Sequence, residues 1–194
     1  MRWRRAFNGF NDGVDRAEIE QDLLGAIREF DKALSEDRAL VEATIGTISC
    51  LQSLAFLHQH DETRSAIVSR FVSLLAQVKA VAPDNPRFLW VYGPSQWYAP
   101  PGTPADEVAR RQATAIATYE RGLELARRQR GHPDDPLDPS WGEAELLMSL
   151  AWSSLNRATP DPRAAEAYAN RALSIVPHWH YVRDILLPQI RRAR

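Results

Sequence analysis

The chain has one cysteine, two lysines and nowhere eighteen consecutive apolar residues. A single cysteine, Cys50, excludes an intrachain disulfide and a cysteine-built metal cluster. It lies in "GTISCLQSLAF", a stretch that reads as buried helix, where a lone cysteine serves as a small hydrophobe. Without a long apolar run there is no candidate membrane-spanning helix. The basic start "MRWRRAF" is followed by no apolar segment and does not read as a signal peptide. As written, the chain is expected in the cytoplasm; an export signal missing upstream would make it periplasmic. Net charge is also scarce, at −1, so no global field draws the chain toward nucleic acid or anionic lipid, and neither is an expected partner. Lysine is nearly absent, with Lys32 and Lys79 the two among 24 basic residues. The arginines are scattered among almost as many carboxylates, which marks a GC-rich coding bias rather than a phosphate-binding surface.

Recognisable catalytic apparatus is missing too. There is no Gly-x-Ser-x-Gly elbow, no glycine-rich phosphate loop and no His-Glu-x2-His. Ser95, Ser140 and Ser149 have no histidine beside them. The two histidine pairs, His58-x-His60 (followed by Asp61) and His178-x-His180, have i,i+2 spacing, whereas two ligands on one helix face need i,i+3 or i,i+4. The acidic run Asp134, Asp135 and Asp138 sits among prolines and reads as a turn leading into a helix. No catalytic residue, metal ligand or cofactor is therefore assigned.

What is present is a core and a helical rhythm. Hydrophobic residues make up 44% and charged residues 25% of 194 residues, enough for one folded domain, expected to run over 1–194. Strand-like alternation is nearly absent, while 3.6-residue periodicity recurs from end to end. In "DRAEIEQDLLGAIREFDKALSED" the residues Ile19, Leu23, Ala26, Ile27, Phe30, Ala33 and Leu34 share one face. Trp3, Phe7 and Phe10 form a preceding helix, with Asp12-Gly13 as the turn. The segment 39–59 is apolar around much of its circumference and is expected to be central. The next helix is expected to take Asp61 as N-cap and to end at Pro83. A long helix follows Thr103 as cap and Pro104 at the first helical position, spans about 26 residues or roughly 39 Å, and stops at Gly131. Along it Glu107 precedes Arg110 and Arg111, and Glu124 precedes Arg127 and Arg128, at ion-pairing spacing. Helices opening at "SWGEAE", "PRAAEA" and "WHYVRD" complete an all-α chain of eight or nine helices.

One phrase recurs. It is Ala26-x3-Phe30-x2-Ala33-Leu34, then Ala115-x3-Tyr119-x2-Gly122-Leu123, then Ala165-x6-Ala172-Leu173 followed by Pro177, with a weaker copy Phe71-x3-Leu75-x2-Val78 followed by Pro83. Small residues at this spacing let a partner helix approach, and Ala33, Gly122 and Ala172 are expected at the closest approaches. The phrase resembles the second helix of a tetratricopeptide repeat, in degenerate form. That resemblance implies a TPR-like array of antiparallel helical hairpins, an α-α superhelix. "NPRFLWVYG", "WYAPPG", "ATYERGLEL" and "DPSWGEAE" are further similar to an uncharacterised bacterial group of tetratricopeptide-like proteins, whose pattern Asn85, Pro86, Arg87, Gly93, Tyr98, Pro100, Gly102, Trp141 and Gly142 match. No biochemical function travels with that resemblance, and its members often carry an export signal.

Within "NPRFLWVYGPSQWYAPPGTP", Phe88, Trp90 and Tyr92 read as a helix apolar all round and therefore buried, ended or kinked at Gly93-Pro94. Trp97, Tyr98 and, further on, Trp141 fall near loops and carry polar tips that want partners. They are the candidate partner groove. Three readings follow: a non-enzymatic scaffold binding a protein or peptide, a small-molecule- or metal-binding protein or enzyme using Trp97, Tyr98 and Trp141, and a structural subunit of a homo-oligomer. The first leads, since stacked helical hairpins expose extended grooves.

Overall fold

The computed structural model describes residues 2–129 and 142–194. It is all-helical, with no strand among the described residues. The sequence reading runs one domain through the chain; the contacts draw two compact units, Met1–Pro83 and Asp84–Arg194.

The first unit holds α1 (Arg2–Asp12), α2 (Arg16–Glu36), α3 (Val41–Leu57) and α4 (Thr63–Val81), each packed on the next. Gly13 makes the turn after α1 at φ 72°, backbone that glycine adopts without a Cβ penalty. Asp15 then caps α2 by accepting from the Ala17 N–H. Ile19, Leu23, Ala26 and Ile27 of α2 meet Cys50, Leu51, Leu54 and Leu57 of α3 in the core, with Ala6 of α1 beside them. The expected central helix is α3, in which Ile45, Ile48 and Cys50 have no solvent exposure. Indole donors at its flank are satisfied, Trp3 Nε1 donating to Ser49 Oγ at 2.9 Å. Two expectations shift. Glu62, not Asp61, takes the cap position of α4, although the Asp61 carboxylate still accepts from the Thr63 N–H at 2.8 Å. Ala33 is half-buried rather than at a closest approach.

The second unit holds α5 (Pro86–Trp97), α6 (Ala105–Gln129), α7 (Glu143–Asn156), α8 (Pro162–Ile175), and a π-helical stretch Tyr181–Leu186 that runs into α9 (Leu187–Arg192). Consecutive helices pack on one another from α5 to α8, and α8 packs on both the π stretch and α9. Asn85 opens α5 by accepting from the N–H groups of Arg87 and Phe88, with Pro86 at the first position. Phe88, Leu89, Trp90 and Val91 are then all buried, as a helix apolar all round requires. Trp90 Nε1 donates to Ser149 Oγ at 3.1 Å, which lets the indole sit in the core. Gly142, at φ 122°, precedes α7 and donates its N–H to Glu145 at 2.9 Å. Ala165, Ala169 and Ala172 bring α8 in with no exposure. Gly122 does the same for α6: a Cβ there would lie 2.9 Å from Leu146 and 3.2 Å from Leu89.

Two local expectations shift in the second unit. Helix α5 does not end at Gly93-Pro94 but continues to Trp97, because the Tyr119 ring packs on the bare Gly93 and Trp97 is itself held in the core. Thr103 does not cap α6; its hydroxyl donates to the Pro100 carbonyl at 2.7 Å, and Ala105 is the first helical residue. At the C-terminal end, Pro188 has no N–H to give an α-helical ladder. A wider turn precedes it, in which the Leu187 N–H reaches the Val182 carbonyl five residues back. The expected stop at Gly131 lies outside the described residues.

Candidate functional site

Two copies of the repeated phrase lay an aromatic ring on a glycine of a neighbouring helix, one in each unit. The Phe30 ring of α2 lies against Gly46 of α3, and the Tyr119 ring of α6 lies against Gly93 of α5, each so close that a Cβ would overlap the ring. Tyr119 is 4% exposed, and burial holds its phenol above the ordinary tyrosine range. The Tyr98 phenol adds to that shift, and burial first and Tyr98 after it also raise Tyr181.

That junction is fastened by polar contacts. Arg111 of α6 donates through Nη2 to the carbonyls of Tyr98 at 2.7 Å and Ser95 at 3.3 Å. Thr118 Oγ1 donates to Gln96 Oε1 at 3.0 Å, and the Tyr98 N–H reaches the Pro94 carbonyl. Gly102, at φ 82°, turns the chain toward α6. The backbone at Tyr98 is thus tied to α6 on one side and to α5 on the other, while its side chain stays 66% exposed.

The candidate residues separate accordingly. Trp97 is 6% exposed and packs against Trp152 of α7, with ring centroids 5.2 Å apart. It belongs to the core and not to a groove wall. Tyr98 leaves the helix with extended backbone (φ −77°, ψ 130°) and faces solvent. Trp141 lies outside the described residues, as do Ser140 and the acidic run 134–138. Arg111, which the ion-pair spacing assigned to Glu107, is the residue that sequence reasoning missed. Arg110 pairs with Glu107, Arg128 pairs with Glu124, and Arg127 turns to Glu143 of α7.

Elsewhere several chemistry-bearing side chains are engaged structurally. Burial pushes the Cys50 thiol up to about 12, which removes the thiolate needed for reactivity. Ser95 donates to the Tyr92 carbonyl at 2.7 Å, and Ser149 receives the Trp90 indole. His178 is exposed, and His180 stands 3.9 Å from Asp184. No group of three or more metal-ligating side chains arranged to hold an ion occurs among the described residues. Nor is any helix among them long and apolar enough to cross a membrane. An open groove of about 340 Å³ runs between Ala109, Gln112, Ala113 and Ile116 of α6 and the turn Arg157–Thr159. Two of its polar side chains are engaged, Gln112 accepting from the Ala158 N–H and Arg157 donating to the Thr159 carbonyl.

Compared with protein-family models, curated proteins and solved structures, the chain matches none of them.

Proposed function

We propose that this protein is a non-enzymatic, tetratricopeptide-like helical-repeat scaffold that binds a protein or peptide partner, with Tyr98 as an exposed anchor. The repeat reading is supported by the recurring phrase, two copies of which lay an aromatic ring on a glycine of a neighbouring helix, the following helix for Phe30 of α2 and the preceding one for Tyr119 of α6. The single observation carrying the binding reading is Tyr98 itself. A large aromatic ring stands two-thirds exposed on backbone held by Arg111. Little backbone ordering then remains to oppose association, and tyrosine is among the residues enriched at interface hot spots. Trp97 does not share this role, because its surface is spent on Trp152.

The test is site-specific photo-crosslinking from position 98 in the native host, with crosslinked peptides identified by mass spectrometry. A discrete peptide partner whose affinity for the purified protein falls at least tenfold in Tyr98→Ala, at unchanged thermal stability, is the expected result. Unchanged affinity in that variant would remove Tyr98 from the reading.

A further inference from the structure

His58 closes α3 and lies between two carboxylates from different parts of the first unit. Its Nδ1 is 2.5 Å from Asp61 Oδ2, in the turn before α4, and its Nε2 is 3.0 Å from Glu20 Oε1 of α2. The side chain is 16% exposed. A carboxylate only accepts hydrogen bonds, and a neutral imidazole carries a single N–H. Both contacts can be hydrogen bonds at once only when the ring is the imidazolium. Asp61 carries this state onward, since its other oxygen accepts from the Thr63 N–H at 2.8 Å and its carbonyl accepts from Arg64 in the first turn of α4.

We propose that His58 is a pH-gated latch: as the imidazolium it ties α2 to the α3–α4 turn, and loss of its proton releases the start of α4. The deprotonated ring must turn a lone pair toward one of the two carboxylates, replacing a charge-assisted hydrogen bond with repulsion. The charged groups acting on the ring are Asp61 from the turn and Glu20 from α2; among the described residues, α1 and α4 direct no charge at it. Asp61 first, and Glu20 after it, hold the ring above the ordinary value of 6.5, against the opposing pull of partial burial. A folded value raised above the unfolded one means that the latch contributes fully below about pH 6.5 and is lost as pH rises through the raised value. Asp61, held below its ordinary range chiefly by the same bond, sets the acid limit, where protonation removes one of the two acceptors.

The experiment follows the His58 ring by NMR titration of the full chain, together with amide protection at Thr63, Arg64 and Ser65, corrected for intrinsic exchange. The His58 midpoint should lie above 6.5, and protection should step down through that midpoint. Glu20→Gln, which keeps the shape and removes one charge, should lower the midpoint; His58→Gln should abolish the step, and His60→Gln should retain it. A wild-type midpoint at or below 6.5, a midpoint unmoved in Glu20→Gln, or a protection step that survives His58→Gln would each overturn the latch. Should His58→Gln fail to fold, the wild-type and Glu20→Gln titrations still decide.

Discussion

In α2–α3 and in α5–α6 an aromatic ring lies on a glycine of the neighbouring helix, yet the two contacts are built to different tolerances. Phe30 is half-buried and points its far edge at Gly46. Tyr119 is buried, its hydroxyl end also lies over Gly93, and the adjoining turn is fastened through Thr118 and Arg111. The polar fastenings differ as well. In the first unit the bonds across the α3–α4 turn run through a histidine and two carboxylates, whereas the α5–α6 junction relies on backbone carbonyls and a neutral amide. The titratable fastening of the first unit lies toward the other end of α2 and α3 from the Phe30–Gly46 contact, whereas at α5–α6 the ring, the glycine and the polar fastenings share one junction.

Substitutions can break or sharpen this contrast, beginning with the largest effect. Trp97→Ala removes a ring from the core beside Trp152 and should cost about 3–5 kcal/mol in urea unfolding. A loss below about 1 kcal/mol would place Trp97 at the surface after all. Gly93→Ala drives a methyl group into a ring with little room to retreat, and should cost about 1–3 kcal/mol. Gly46→Ala meets the far edge of a ring that is only half-buried, and since the helix propensity gained over glycine, about 1 kcal/mol, offsets part of the clash at both sites, the difference in room around the ring sets the order. Its denaturation midpoint should move distinctly less than that of Gly93→Ala; equal shifts would erase the difference between the two contacts. Tyr98→Ala stands at the small end, within about 0.5 kcal/mol, since its ring is mostly exposed. The adjacent pair Trp97 and Tyr98 should therefore differ by the full range of the series.

Much of this was readable before any coordinates. The all-round apolarity of 88–91 placed α5 in the interior, whereas the caps read from the sequence, Asp61 and Thr103, are not the ones used; Asp15, Asn85 and Asp161 open α2, α5 and α8 instead. Gly122 and Ala172 stand at close approaches, as the spacing of small residues implied, but Ala33 does not. The aromatic stretch 85–104 is a helix junction, yet sequence alone put both Trp97 and Tyr98 at its edge. They differ because Tyr98 leaves the helix in extended conformation, and one residue's change of backbone turns its ring to solvent.

The sequence by itself determined the helices, the buried faces and the small residues that permit close packing, because each is a property of local spacing along one segment. Only the tertiary structure decided which ring meets which glycine, that Arg111 turns from Glu107 to the Tyr98 carbonyl, and that Glu20 meets His58 across 38 residues. Periodicity reports the face a helix buries but not the residue that will cover it. That pairing depends on how the connecting turns set each helix against its neighbour, and a one-turn slide would give every side chain a new partner while leaving the pattern along the chain unchanged.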